Sequence, residues 1–188
     1  MRRPPAHRVP SETIDAMNTD TSTVEHLHQL LQKFDTAMLV THTAQGEIRA
    51  RPMAIVRVDP DCRVWFFSGK GSGKVGEIVE DCEVNIVCQD EFSLYLSISG
   101  RATLQRNREK IDELWEEGFQ TWFPQGKDDP DLMLIAVEPT EGEYWDNEGF
   151  NKIKYLFERA KAFASGSRPA VEEIEQHAKV ALAGAGVH

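Results

Sequence analysis

Cysteine is scarce in this chain. Cys62, Cys82 and Cys88 are the only three, an odd number without CxxC spacing. That pattern argues against a disulfide-stapled module or a cysteine zinc site, and a reduced, cytoplasmic protein is the simpler expectation. Long apolar runs are missing: none approaches the roughly 20 residues that span a bilayer. Clustered basic charge is missing too. The 21 Lys and Arg face 31 Asp and Glu, for a net charge of −10, which argues against a general nucleic-acid or anionic-membrane surface. There is no HExxH and no GxSxG elbow, and the acidic run Asp128-Asp129-Pro130-Asp131 lacks EF-hand spacing. His26 and His28 stand two apart on a helical stripe and so face different directions, which opposes a shared metal. His42 is a lone strand histidine of structural type. Met1-Arg2-Arg3-Pro4-Pro5 has charge but no apolar segment after it, so residues 1–20 read as a disordered leader rather than a signal peptide, with Met17 an alternative start.

What is present suits one compact unit. The 188 residues are 40% hydrophobic, enough for a single domain over 21–165 with a C-terminal helix or tail over 166–188. Thr21-Ser22-Thr23 caps a helix whose apolar stripe is Val24, Leu27, Leu30, Leu31 and Phe34. Strands are expected at 37–43, 48–59, 63–67 and 84–88. Ser93 to Leu104 alternates, with Leu94, Leu96 and Ile98 on one face and Tyr95, Ser97 and Ser99 on the other. Asn107 to Phe119 returns to helical spacing. A composition-driven loop follows to Asp131, then a strand pair or one strand bent at Pro139. The stripe Ile153, Leu156, Phe157, Ala160 and Phe163 predicts a helix, and 171–182 a second. Strands in hairpin-like succession with few helices between them predict an antiparallel barrel or sandwich flanked by helices, mainly β with α.

Two stretches carry chemistry. Phe66-Phe67-Ser68-Gly69-Lys70-Gly71-Ser72-Gly73-Lys74 runs from a buried strand through Gly and Ser into a helix start at Val75. Such a junction directs backbone amides, the helix dipole, a hydroxyl and a lysine at one spot, as an anion site does; a solvated surface turn has the same composition. It is not a Walker loop, since Ser68 and Val75 occupy positions that need Gly and Ser or Thr. On the second strand, alternation puts Arg51, Met53 and Ile55 on one face, and Pro52 removes a ladder donor where a backbone can meet a ligand. Arg51, Ser72 and Lys74 together form a candidate phosphate clamp. Trp115, Phe119, Trp122 and Phe123 read as core or subunit contact, and Cys62 beside Arg63 is the one cysteine with a basic neighbour.

Taken in order, Arg51-Pro52-Met53, Phe66-Phe67-Ser68, Gly71-Ser72-Gly73-Lys74, Ser99-Gly100-Arg101-Ala102 and Glu143-Tyr144-Trp145 give a chain that resembles the pyridoxamine 5′-phosphate oxidase-like flavin proteins, in their general stress protein branch. The resemblance covers about Val24 to Ala164. It implies an antiparallel split β-barrel, a homodimer, and FMN at the subunit interface, with FAD or a deazaflavin as alternatives on the same clamp. By position, Arg51, Ser72 and Lys74 would meet the flavin phosphate, Pro52 and Met53 would line the isoalloxazine, and Phe67 and Ser68 would border it. Tyr95 stands where the oxidases carry a glutamine that meets the cofactor, and Trp145 matches a tryptophan reaching the flavin from the partner subunit. The oxidases follow that tryptophan with Arg-x-His; here Asp146 to Lys154 holds neither Arg nor His, so pyridoxamine phosphate is not the expected substrate. The implied activities are an FMN-dependent oxidoreductase of unspecified substrate or a non-catalytic flavin carrier or sensor.

Overall fold

The computed structural model describes residues 21–91, 94–146 and 177–182. The leader, the helix expected around Ile153 to Phe163 and the stretch 147–154 lie outside them. The elements are α1 (Thr21–Leu31), β1 (Thr36–His42), β2 (Ile48–Ala54), β3 (Arg57–Val58), β4 (Val64–Gly69), α2 (Gly73–Glu80), β5 (Glu83–Gln89), β6 (Leu94–Gln105), α3 (Arg108–Leu114), β7 (Leu132–Asp146) and β8 (His177–Ala181). Two short 3-10 turns, Glu117–Thr121 and Gly126–Asp128, join α3 to β7.

All pairings are antiparallel, in the order β2-β1-β5-β6-β7-β4-β3 with β8 on β7. The long strands β6 and β7 serve two half-sheets. One half of β7 pairs with β4 through Leu132–Val137, the other with β8 through Glu141–Trp145. The bend falls where the β6–β7 register shifts at Ser99/Gly100, opposite Pro139. A Cβ on Gly100 would lie 2.5 Å from the Glu138 carbonyl oxygen, so the close approach requires glycine there. The sheet closes as β2 comes against β4, and the result is a split barrel.

The expected strand 48–59 is broken in two. Ile55 N–H donates to the Asp35 carbonyl and Val56 N–H to that of Trp65, so the chain leaves β1 and joins β4 at this point. The expected helix 107–119 ends at Leu114, because Trp115 is extended (φ −75°, ψ 130°) and the chain resumes as a 3-10 turn. Helix α1 begins at Thr21 rather than after Thr23. The helix expected over 171–182 is corrected where it is described. His177–Ala181 is a strand, with Val180 and Leu182, two apart, both buried in the core. Alternation over so short an alanine-rich segment was masked by the helix propensity of its alanines.

Two apolar clusters explain why β4 reads as a continuous apolar run. Val64 and Phe66 point into the barrel with Leu27, Leu31, Leu39, Ile86 and Ile98. Trp65 and Phe67 point outward under α3, against Ile111, Leu114, Phe123, Leu132 and Leu134. A strand covered on both faces has no polar side to show. Helix α1 plugs the barrel, and Gly142 makes room for it: a Cβ there would meet Leu27 Cδ2 at 2.6 Å and Ile98 Cδ1 at 3.2 Å. Gly142→Val is therefore expected to cost about 1–3 kcal/mol by overpacking, measured by urea denaturation. An unchanged midpoint would show that α1 can shift freely. Among the described residues no helix is long and apolar enough to cross a membrane.

Candidate functional site

Strand β4 delivers Phe67, Ser68 and Gly69 to the start of α2, and β2 runs beside them. Between the two lies a cavity of about 370 Å³, lined by Pro52, Met53, Ala54, Val56, Phe67, Ser68, Gly69, Lys74, Phe119, Trp122, Phe123 and Asp131. That volume falls in the range of small-molecule sites. Five residues expected from the sequence, Pro52, Met53, Phe67, Ser68 and Lys74, share this cavity. Phe67 is the hub of its aromatic wall, with Phe119, Trp115 and Phe123 at ring-centroid distances of 5.0, 5.8 and 6.2 Å. Trp122 stands 65% exposed at its edge.

The glycine-rich turn differs from the expected cradle of amides. Lys70 N–H donates to the Asp131 carbonyl at 2.7 Å, Gly71 N–H to Asp131 Oδ1 at 3.2 Å, and Ser72 N–H to the Gly69 carbonyl at 3.0 Å. Asp131 thus ties the turn down, and a Cβ on Gly69 would collide with its Oδ2 at 2.5 Å. What remains for an anion is the first turn of α2, where the Gly73 and Lys74 amides have no acceptor within the helix. Nothing lies within 4 Å of the place a Cβ on Gly73 would take, so this side is open. Ser72 is the N-cap residue but makes no side-chain cap; its hydroxyl shares a 3.0 Å hydrogen bond with that of Ser68.

Arg51 is held rather than free. Its Nη2 donates to Glu77 Oε2 at 2.5 Å and its Nη1 to Thr41 Oγ1 at 2.5 Å, while Thr41 Oγ1 donates to Glu77 Oε2 at 2.6 Å. Arg49 Nη1 reaches Glu77 Oε1 at 3.3 Å. The buried Glu77 carboxyl is held below its usual range, first by the Thr41 hydrogen bond and then by Arg51, against burial that pushes it up. Lys74 makes no ion pair among the described residues. Its pKa is lowered by burial and by the Arg51 charge, with Glu77 pulling the other way.

Tyr95 and Trp145 are not at this cavity. They face each other across β6 and β7, 40% and 37% exposed. The register places Pro52 opposite Met38 and Met38 opposite Val87, on the same outward sheet face as Tyr95 and Trp145. Cys62 is no reactive thiol: it is fully buried and burial pushes it up to about 12, as it does Cys88. No cluster of three His, Cys, Asp or Glu is placed for a metal among the described residues.

Sequence reasoning missed Phe119, Trp122, Phe123 and Asp131 as lining residues. Their aromatic stripe was visible, but its break into α3 and a 3-10 turn, which swings it over Phe67, was not. Gly69 with the acid 62 positions later carried no sequence signal at all.

The family model for pyridoxamine 5′-phosphate oxidase-like proteins matches residues 22–183. General stress protein 26 of Bacillus subtilis (strain 168) is 30% identical over 78 residues, 39% of this chain and 55% of that protein, so the match spans about half of its length. A structure described as a general stress protein 26 from Jannaschia sp. CCS1 is 27% identical, with a TM-score of 0.62 over 86% of this chain and 99% of that one. The general stress FMN/FAD binding protein of Xanthomonas citri is 25% identical, with a TM-score of 0.59 over 69% of this chain and 92% of that one.

Proposed function

The chain belongs to the pyridoxamine 5′-phosphate oxidase-like family, and from that premise we propose that it binds a flavin nucleotide, FMN first, as a protein of the general stress branch. The observation that carries this reading is the cavity between β2 and β4, with a lysine at a helix start that has no ion pair among the described residues and an aromatic wall beyond. Lys74 and the first-turn amides of α2 would hold the phosphate, with Ser72 beside them and Arg51 one layer behind. Pro52, Met53, Phe67 and Ser68 would border the ring system. When bound, FMN supplies two-electron redox chemistry, and the protein supplies position, exclusion of water and field. Both an oxidoreductase and a flavin carrier or sensor are compatible with this lining, in which Lys74 and Asp131 are the only ionisable side chains among the described residues.

The outward face with Pro52, Met38, Val87, Tyr95 and Trp145 supports a homodimer. Pro52 belongs both to this face and to the cavity wall, so a second copy docked here would bring its Trp145 toward the first copy's cavity. Apo protein titrated with FMN should show a saturable, one-per-chain flavin absorbance change, and sedimentation should give a dimer at micromolar concentration. Riboflavin binding as tightly as FMN would overturn the phosphate placement, and a flavin-saturated monomer would overturn the shared site. Anaerobic addition of NADH or NADPH separates the activities: fast bleaching marks an oxidoreductase, an oxidised flavin a carrier.

A further inference from the structure

Resting on that flavin reading, we propose that Glu77 sets the charge of the phosphate site, so that the site gains little from the second negative charge of a phosphomonoester and takes the diphosphate linkage of a flavin dinucleotide, with one negative charge on each phosphorus, about as readily as FMN. The cations near the helix start are Arg49 and Arg51 on β2, Lys74 on α2 and the exposed Lys70 in the turn before it. Arg51 is matched by Glu77 at 2.5 Å. Arg49 is shared between Glu47 and Glu77, each at 3.3 Å. Asp131 adds a carboxylate to the lining of the same cavity, against the turn that leads into α2. Lys74 is the one cation that lines the cavity, and it has no ion pair among the described residues.

Glu77 is placed for this role. It follows Lys74 by three positions, so both lie on one face of α2. It is only 9% exposed, so salt and solvent screen it weakly. A dianion at the helix start would face Lys74 and, one layer behind it, an already neutralised Arg51–Glu77 pair. A phosphorus with a single negative charge, as in the FMN monoanion or in either half of the FAD diphosphate, would find the same lysine with less repulsion from Glu77.

The test uses the phosphomonoester's own second ionisation, near pH 6. Apo wild type and Glu77→Gln are titrated with FMN and FAD at about pH 5 and about pH 8, and the affinity ratio of FMN to FAD is compared between the two pH values. The adenosine half of FAD and any titration of Lys74 shared by both ligands cancel in that comparison. Glu77, with its lowered pKa, stays ionised across the range. In wild type the ratio should change by less than about threefold, and in Glu77→Gln it should climb by about tenfold toward FMN as the second charge appears. A ratio that already climbs tenfold in wild type, or that is equally flat in Glu77→Gln, overturns the role of Glu77. Should the variant fail to fold, the wild-type ratio decides alone: flat supports the proposal and steep overturns it. Absence of binding of either flavin would instead overturn the site reading on which it rests.

Discussion

Lys74→Glu is expected to weaken flavin binding at least a hundredfold while leaving the apo fold as stable as wild type or slightly more so. The two effects have opposite sign because the lysine is wrong for the helix and right for a ligand. Lys74 lies in the first turn of α2, which carries no acidic residue. The helix dipole favours an acid there by about 0.3–1 kcal/mol and Arg51 attracts it, which outweighs the roughly 0.2–0.5 kcal/mol of like-charge repulsion from Glu77 three positions on. Burial and Arg51 also push the Lys74 pKa down. The sign of that shift is unfavourable for the fold. An unfolded lysine binds its proton more tightly than the folded one, so apo stability should rise as pH climbs through the folded pKa. A bound anion reverses the shift and removes that rise. Replacing the cation by an anion removes a charge-assisted bond worth about 1.5–3 kcal/mol and adds repulsion against the phosphate. Together these exceed the roughly 2.7 kcal/mol of a hundredfold change. Flavin fluorescence titration and urea denaturation of the apo protein read the two effects separately. Full affinity in the variant would mean that the phosphate lies elsewhere.

The strands and their alternation were legible because burial on one face leaves a period of two, as in Leu94, Leu96 and Ile98. Strand β4 was legible for the opposite reason, an unbroken apolar run flanked by clusters on both sides. The break at Ile55 was not, because it is made by backbone bonds to Asp35 and Trp65 that leave no residue signature. The same limit explains the site. Lys74 and Met53 could be placed because a glycine-rich turn and a proline-bearing strand mark themselves. The capture of Lys70 and Gly71 by Asp131 and of Arg51 by Glu77 depends on which long-range partners the barrel brings together, and spacing along the chain does not encode that. The sequence named two cations as a clamp, whereas the folded chain balances one of them with a buried acid.

That balance predicts the largest stability loss for a single substitution at the site. Arg51→Met should destabilise the protein by about 2–4 kcal/mol, and Glu77→Met added to it should restore most of the loss. Removing Arg51 leaves the Glu77 carboxylate buried with only Thr41 and the exposed Arg49 as partners among the described residues. Breaking a fully buried pair costs about 3–5 kcal/mol; the figure is reduced here because Arg51 keeps 22% exposure. Two methionines in place of the pair bury apolar volume with no charge to desolvate, and the remaining deficit is the Thr41 hydroxyl, about 1 kcal/mol. The pH dependence identifies the cause. In wild type the Glu77 pKa is depressed, so its contribution is present at neutral pH and is lost as pH falls through that value. In Arg51→Met the buried carboxyl shifts upward and can take a proton in the folded state, so acid relieves the variant while it harms wild type. The stability gap should therefore shrink as pH falls from about 7 to about 4, read by urea denaturation at each pH. A gap that stays constant with pH, or a double variant no better than Arg51→Met, would mean that Arg51 acts by packing its side-chain stem and not by holding Glu77.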